Sequence, residues 1–256
     1  MKSLLSLFAL SSAALLCSCA GVPQMIPPVP APEKVALVSF SLNKSITAAA
    51  DIGQNNKQHD AGPGLLQKDS SYYSDHQAAL DSLWEKYQEK LSGSLGIQLV
   101  PIADIASNAK YQELTVHVPK KVLGSDIASG ADRLEPHGGL KFVDVTDTAK
   151  LRALTEALGV QKLLLIDNNA EYEGSITLGG NGTAKMDMET RLAFYDPAKG
   201  VYWRGRYLGT SKSSAVMLAG TISTSAFPKL IPETADPILA KIAQDAARGR
   251  GETPAK

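Results

Sequence analysis

The chain has 256 residues, of which 44% are hydrophobic and 20% are charged, so it carries enough apolar content to build a core. Its 26 Lys and Arg residues balance its 26 Asp and Glu residues, which excludes an overall basic field and disfavours nucleic-acid binding. Both cysteines, Cys17 and Cys19, lie near the amino terminus, which leaves the rest of the chain without a thiol pair for a disulfide.

Residues 1–18 have the layout of an export signal. Lys2 supplies a cation, and an apolar run extends from Leu4 to Leu16. This run is shorter than the roughly 20 residues that a membrane-spanning helix requires, so a cleaved signal is favoured over a retained anchor. We therefore predict that residues 1–18 are removed on export.

The last residues of this segment, Leu16-Cys17-Ser18-Cys19, resemble a bacterial lipobox, in which a small residue precedes a lipid-modified cysteine. Cys19 matches the modified position because the small Ser18 precedes it. Cys17 does not match, because the residue before it, Leu16, is large. The resemblance implies that Cys19 carries two or three acyl chains such as palmitate, and two chains already give stable membrane anchoring. Because Ala20 and not Asp follows Cys19, the resemblance also implies the outer membrane. The alternative is an ordinary secretory signal in which both cysteines are incidental.

Residues 19–33 are predicted to form a tether between the lipid and a folded domain. Between Val22 and Glu33, five prolines disfavour regular structure and favour an extended polyproline-like path: Pro23, Pro27, Pro28, Pro30 and Pro32. At about 3.1 Å per residue this segment spans roughly 40 Å. A proline-rich ligand for a partner is the alternative. We predict one domain over residues 34–247 and a flexible tail over residues 248–256.

The predicted domain begins with a buried strand and an amphipathic helix. Val35–Phe40 is an apolar run typical of a strand that is buried on both faces. Residues 43–71 are polar and indicate a long loop or a partly helical stretch around Ala48–Ile52. Ser74 and Gln77 form a candidate capping box for a helix. Its predicted inner stripe consists of Leu80, Leu83, Trp84, Tyr87 and Leu91.

Gly93 or Gly96 can end this helix, and Ile97–Ile102 is predicted to be a second strand. A short helix is expected over 104–114. Residues 119–140 are rich in glycine and polar residues, which indicates an exposed loop where functional residues often reside.

A second amphipathic helix is predicted for Thr148–Leu158, with Thr146 or Asp147 as its cap and Gly159 as its end. Leu163–Ile166 follows as another buried strand.

Apolar and charged residues alternate from Lys185 to Phe194, which is typical of a sheet with one solvated face. Residues 196–200 have turn chemistry, and Val201 to Tyr207 continue the alternation, so a hairpin is expected. A last helix is predicted to start with Asp236 as its cap and Pro237 as its first residue. Its expected inner face carries Ile238, Leu239 and Ile242.

Catalytic serine patterns in the chain are incomplete. Ser41-x-x-Lys44 and Ser107-x-x-Lys110 both match the nucleophile motif of penicillin-interacting enzymes, but the companion Lys-Thr-Gly and Ser-Asp-Asn signatures are absent. Residues 179–182 are glycine-rich but lack the ending of a phosphate loop, so they predict a tight turn. We predict no catalytic residue.

The four histidines show no spacing typical of a zinc site, and we expect them on the surface or in loops; they are His59, His76, His117 and His137. We predict neither a metal nor a cofactor. Asp167, Asn168 and Asn169 follow a buried strand, where ligand sites of open sheets often lie, and they are the candidate ligand-binding residues. Turn and capping chemistry is the alternative role of these three residues.

The predicted order is strand, helix, strand, helix, strand, hairpin and terminal helix, which gives an α/β fold with helices packed on a mixed sheet. This pattern resembles the domain shared by curli-secretion lipoproteins, penicillin-binding-protein activator lipoproteins and the amino-terminal part of the Tol-system periplasmic protein. The segments that carry the resemblance are Val35–Phe40, the helix after Ser74, Leu99–Pro101, Leu151–Ile166 and Arg191–Asp196. It implies a non-enzymatic domain used in envelope assembly or partner contact, and it assigns no functional residue.

We therefore expect an outer-membrane lipoprotein, anchored through Cys19, whose periplasmic domain is an interaction or assembly module for an envelope protein. Two alternatives stay open. The first is an oligomeric secretion or pore component, for which Ser213–Phe227 would supply the membrane-inserting hairpin and which implies a homo-oligomer. The second is a ligand-binding or hydrolytic lipoprotein that uses Asp167.

Overall fold

The computed structural model describes residues 33–43, 46–48, 65–67, 72–114, 134, 136–143, 148–176, 181–218 and 221–251. The strands in these ranges are β1 (Glu33–Leu42), β2 (Thr47–Ala48), β3 (Leu65–Gln67), β4 (Ile97–Leu99), β5 (Lys162–Ile176), β6 (Gly182–Asp196), β7 (Gly200–Thr210), β8 (Ala215–Leu218) and β9 (Thr221–Ser223). The helices are α1 (Tyr72–Leu95), α2 (Ile102–Ala106), α3 (Ala109–Gln112), α4 (Thr148–Leu158), α5 (Phe227–Glu233) and α6 (Ala235–Gly249).

The strands of the described residues form one mixed sheet in the order β3-β9-β8-β6-β5-β1-β4, with β2 also paired to β5 and β7 to β6. β1 runs parallel to β4 and β5, because a helix lies between these strands in the chain. β5, β6 and β7 form an antiparallel meander. The predicted α/β fold, a mixed sheet with helices packed on it, is confirmed.

One face of the sheet packs on α1, α5 and α6. Phe40 of β1 meets the rings of Trp84 and Tyr87 edge-on, at centroid distances of 5.1 and 5.3 Å. Burial of each such large side chain contributes about 1.5–3 kcal/mol. The predicted inner stripe of α1 is confirmed, since its members are buried: Leu80, Leu83, Trp84, Tyr87 and Leu91. Alternate residues of β6 are buried on the same face: Met186, Met188, Thr190, Leu192 and Phe194.

The start of α1 differs from the prediction and its end agrees with it. The helix begins at Tyr72, so Ser74 and Gln77 lie inside it and not at a cap. Ser and Gln are tolerated inside helices as well as at caps, so the capping-box pattern alone does not fix the helix start. The helix passes through Gly93 and ends before Gly96, whose φ of 70° is a left-handed conformation that glycine adopts without strain.

The elements after α1 are shorter than predicted. β4 stops at Leu99 instead of Ile102, and the helix expected over 104–114 is divided into α2 and α3. The division falls at Asn108, whose side chain accepts a hydrogen bond from the amide of Lys110 at 2.9 Å. This bond caps α3 and favours a new helix start there.

α3 and α4 pack on the other face of the sheet, near the start of β5. Tyr195 follows the inward-facing Phe194 and points to this second face, where its hydroxyl donates to the Thr148 carbonyl of α4 at 3.2 Å. The buried Tyr111 of α3 donates to the Val38 carbonyl of β1 at 2.7 Å. The first residues of β5 and the part of β1 beside them are therefore covered on both faces of the sheet.

α4 has the predicted bounds, and Gly159 after it has a φ of 60°. The predicted strand Leu163–Ile166 lies in β5, which is much longer and continues to Ile176. β6 and β7 form the predicted hairpin, with Asp196 paired to Gly200 across the turn.

α6 starts at Ala235, two residues before the predicted first residue Pro237, because the backbone of Thr234 stays helical between α5 and α6. Pro237 is consequently inside the first turn, where no hydrogen bond to its nitrogen is required. The predicted inner face is buried: Ile238, Leu239 and Ile242. α6 approaches β7 closely at Gly209, where an added Cβ would lie 2.5 Å from the carbonyl oxygen of Thr234.

Several predictions fall outside the described residues: the signal, Cys19, the tether up to residue 32, the caps Thr146 and Asp147, and most of 43–71 and 119–140. Ala48 pairs with Tyr172 in a strand, so the helical stretch predicted around it is wrong at that residue. The division of the chain into signal, tether, domain and tail stays a prediction.

Within the described ranges, none of the helices combines the length and apolar character needed to cross a bilayer.

Candidate functional site

The sheet face opposite α1 is polar over β5, β6 and β7. Residues directly across the strands share this face, since successive side chains alternate between faces. The outward residues therefore form three sets, each with one residue from β5, one from β6 and one from β7. They are Asp167, Arg191 and Arg206; Asn169, Glu189 and Leu208; and Glu171, Asp187 and Thr210.

A carboxylate held by two arginines lies at the centre of this face. Arg191 Nε donates to Glu189 Oε1 at 2.6 Å, and Arg206 Nε donates to Glu189 Oε2 at 2.5 Å. The Glu189 side chain is only 11% exposed, whereas more than half of each arginine side chain is accessible. The arrangement neutralises the carboxylate and leaves guanidinium surface of both arginines facing solvent.

The candidate residues Asp167, Asn168 and Asn169 lie inside β5 and not after its end. The prediction that they follow the strand is wrong because the strand continues through them. Asp167 and Asn169 face outward, and Ser41 Oγ donates to Asp167 Oδ1 at 2.7 Å. Asn169 Nδ2 donates to Glu171 Oε1 at 3.2 Å. Their roles in binding stay predictions.

Asn168 faces the other way and is fully buried. Its amide nitrogen donates to the Ser41 carbonyl at 2.9 Å, and its amide oxygen accepts from Thr190 Oγ1 at 2.7 Å. The Tyr87 hydroxyl lies 2.9 Å from the same Thr190 oxygen. Burial raises the pKa of Tyr87, so this hydroxyl stays protonated. The network joins α1, β5, β6 and β1, which makes Asn168 a structural residue in this geometry.

Sequence reasoning missed Asn43, which extends this network. Asn43 Oδ1 accepts from the amide of Ala170 at 2.7 Å, and its Nδ2 donates to the carbonyl of Ala170 at 2.9 Å. An asparagine at the end of an apolar strand is the local signal that could have indicated it, because a buried amide must find partners.

Exposed aliphatic residues mark the far side of the same face. Among the described residues, the exposed large hydrophobic side chains are Leu208 of β7 (54%) and Val216 and Leu218 of β8 (66% and 64%). Val216 lies across from Thr183 of β6, so it shares the outward face with Leu208, which lies across from Glu189. The sequence singled out the stretch Ser213–Phe227 but could not show which of its side chains face outward.

The remaining candidates do not assemble into a reactive centre. His76 is buried in α1 and stacks on Phe227 at 5.0 Å, so the expectation of a surface or loop position is wrong for it. His137 begins a short 3-10 helix, His137–Gly139, with Nδ1 2.6 Å from Asp81 Oδ1 and its ring 5.4 Å from that of Trp84. In the part of the chain that the structure describes, no group of three or more potential metal ligands is found.

No protein-family model matches this chain, and no curated protein matches it. Among solved structures, it is similar to the LpoB C-terminal domain from Salmonella enterica, with 12% identity and a TM-score of 0.30 over 70% of this chain and 84% of that one. It is also similar to the hypothetical protein CT253 from Chlamydia trachomatis, with 11% identity and a TM-score of 0.35 over 87% of this chain and 100% of that one. The residues of this chain alone carry the functional assignment.

Proposed function

We propose that this protein is an outer-membrane lipoprotein, tethered through acyl chains on Cys19, whose α/β domain acts as a non-enzymatic interaction module in the envelope. The observation that carries the proposal is the order of three features: a short apolar leader ending in Leu16-Cys17-Ser18-Cys19, a proline-rich segment, and a domain that begins at β1. The resemblance to envelope-assembly lipoproteins noted in the sequence implies the same class of role.

The chemistry of the domain favours contact over catalysis. Among the described residues, the buried side chains of Asn168 and Thr190 are engaged in hydrogen bonds between strands. On the open face, Glu189 is neutralised by two arginines and Asp167 accepts from Ser41. A general base or nucleophile would need a free and positioned group, whereas exposed guanidinium and aliphatic groups suit recognition of a partner.

Cys17 provides a matched control for the anchor. Cells expressing the wild type, Cys17→Ala or Cys19→Ala are labelled with radioactive palmitate, and their membranes are separated on a density gradient. We expect label and outer-membrane location in the wild type and Cys17→Ala, and loss of both in Cys19→Ala. Label that persists in Cys19→Ala would contradict the proposed anchor.

The module itself is tested by crosslinking in intact envelopes, followed by identification of the crosslinked protein. A recurrent envelope partner in the wild type, lost when Cys19→Ala removes the protein from the membrane, is the expected result. A wild-type protein that sits in the outer membrane but crosslinks to no protein above background would contradict the interaction role.

A further inference from the structure

The outward side of β7 and β8 differs from the rest of the described surface. We call it the β7–β8 row, and its members are Arg204, Arg206, Leu208, Val216 and Leu218. All five are exposed. The three aliphatic members are the exposed large hydrophobic residues of the described chain, and they share one face of one sheet. Isolated exposed aliphatics are ordinary, but an aligned set indicates a contact surface.

The row is long and narrow. Arg204 lies across from Ala193 of β6 and Val216 across from Thr183 of the same strand, so the row follows β6 for roughly 34 Å at about 3.4 Å per residue. It is one strand wide. Outward residues on each strand repeat at the spacing of alternate residues in an extended chain, which suits a strand-like ligand better than a broad surface.

The connection between β7 and β8 is held firmly. Ser211 N donates to the Met186 carbonyl at 2.7 Å, and Met186 N donates to Ser211 Oγ at 3.0 Å. Ser213 donates from its amide and its hydroxyl to the Glu233 carboxylate at 2.7 and 2.8 Å. These bonds fix β8 beside β6, so Val216 and Leu218 stay presented to solvent and the row is preformed.

The charges beside the row restrict what it can accept. Arg191 and Arg206 both donate to Glu189, and the exposed Arg204 lies one outward position beyond Arg206 on β7, so three arginines accompany this carboxylate and the β7 end of the row is positive. The next outward carboxylate of β6, Asp187, accepts from Thr210. Two strands away, the outward residues of β5 are acidic and include Asp167, Glu171 and Glu173. A wide acidic surface would approach both groups and be repelled by β5, whereas a narrow acidic segment can lie on the row alone.

We propose that the β7–β8 row binds an extended segment of a partner protein, with carboxylates of that segment against Arg204 and Arg206 and aliphatic side chains against Leu208, Val216 and Leu218. The inference rests on the proposed interaction role and names its surface and the chemistry of the partner. A second copy of this chain is a poorer occupant, because a stable dimer buries about 800 Å² on each partner and the row is one strand wide.

The probe is a displayed library of random peptides of about twelve residues, long enough in extended form to cover the row. The full chain is held in lipid nanodiscs through its own anchor, and empty nanodiscs remove non-specific binders. We expect enriched peptides to carry Asp or Glu at one end and aliphatic residues at alternate positions towards the other.

Three variants test a synthetic copy of the enriched peptide. We expect at least about tenfold weaker binding for the double variant Arg204→Glu with Arg206→Glu, and for Val216→Ser with Leu218→Ser. The control reverses two exposed cations far from the row, Lys34→Glu with Lys86→Glu, and should bind like the wild type. Near-UV circular dichroism establishes whether each variant is folded. If Val216→Ser with Leu218→Ser is not folded, the single variant Val216→Ser replaces it.

No enrichment over empty nanodiscs, or equal binding to the wild type and the arginine variant, would overturn the inference. So would a concentration-dependent dimer in sedimentation that the row variants abolish, because the occupant would then be a second copy. Failure of the protein to load into nanodiscs would count against the Cys19 anchor and not against the row; in that case the same selection is performed on immobilised protein.

Discussion

Replacing Asn168 with alanine would remove the side chain that joins β1 to β6 inside the core. Its amide nitrogen donates to the Ser41 carbonyl and its oxygen accepts from Thr190 Oγ1, at 2.9 and 2.7 Å. A buried polar group that loses its partner costs about 1–3 kcal/mol, so leaving both the Ser41 carbonyl and the Thr190 hydroxyl without Asn168 should lower the free energy of unfolding by about 2–6 kcal/mol. Urea denaturation followed by circular dichroism measures this difference.

The neighbouring Asn169 supplies a matched control. It lies on the same strand but faces outward, and its amide donates to Glu171 at 3.2 Å. We expect Asn169→Ala to change the free energy of unfolding by no more than about 0.5 kcal/mol. Equal losses in the two variants, or a loss below about 1 kcal/mol for Asn168→Ala at an unchanged denaturant slope, would refute the structural role of Asn168.

Three further predictions concern stability, each measured as the urea midpoint against the wild type. Gly209→Ala should lower the free energy of unfolding by about 1–3 kcal/mol, because its Cβ would lie 2.5 Å from the carbonyl oxygen of Thr234, the residue before α6; an unchanged midpoint contradicts this close approach. Lys162→Met should cost about 3 kcal/mol, since it leaves the buried Glu33 carboxylate, now 2.6 Å from the lysine, without its cation; no loss would mean that Glu33 finds another partner. The hydrogen bond from Lys90 lowers the pKa of Asp236, so this pair stabilises the fold above the ordinary pKa of aspartate and loses its effect as the pH falls through the lowered value. Asp236→Asn should therefore lower the midpoint at pH 7 and have little effect near pH 2, and an equal effect at both would exclude the ion pair as the cause.

Local periodicity was sufficient for the buried faces of the long helices α1 and α6, for α4 and for the hairpin, but not for the short helices α2, α3 and α5. The 3.6-residue spacing of Leu80, Leu83, Tyr87 and Leu91 depends only on the helix itself, so the buried face of α1 could be predicted without its neighbours. The same is true of Thr148–Leu158, whose bounds agree residue for residue.

The extent of β5 and the direction of its polar residues could not be predicted in this way. The apolar run ends at Ile166, and Asn168 then places a polar side chain at an inward position that is usually apolar, so the sequence predicted the end of the strand before Asp167. Thr190 and Tyr87, the residues that satisfy Asn168, are remote from it in the chain, and only the folded sheet brings them together. The candidate site was misplaced for the same reason.

The outward position of Val216 and Leu218 also required the fold. In the sequence, their apolar stretch favoured a core segment over a membrane hairpin, and neither reading predicts side chains exposed to solvent. The pairing of β8 with β6 decides which side chains of the stretch point inward, and it buries Met217 while exposing its two neighbours.

The position of β1 has a mechanical consequence for a tethered protein. The proposed tether joins the domain at Glu33, the first residue of β1, and β1 lies in the interior of the sheet between the parallel strands β4 and β5. A pull along β1 then loads its hydrogen bonds to β4 and β5 together, whereas an edge strand has hydrogen bonds to one neighbour only. The ion pair between Glu33 and Lys162 spans the point where that load enters the sheet. The proposed attachment is therefore to a central strand and not to an edge strand, which would help the domain to stay folded while it holds a partner under tension.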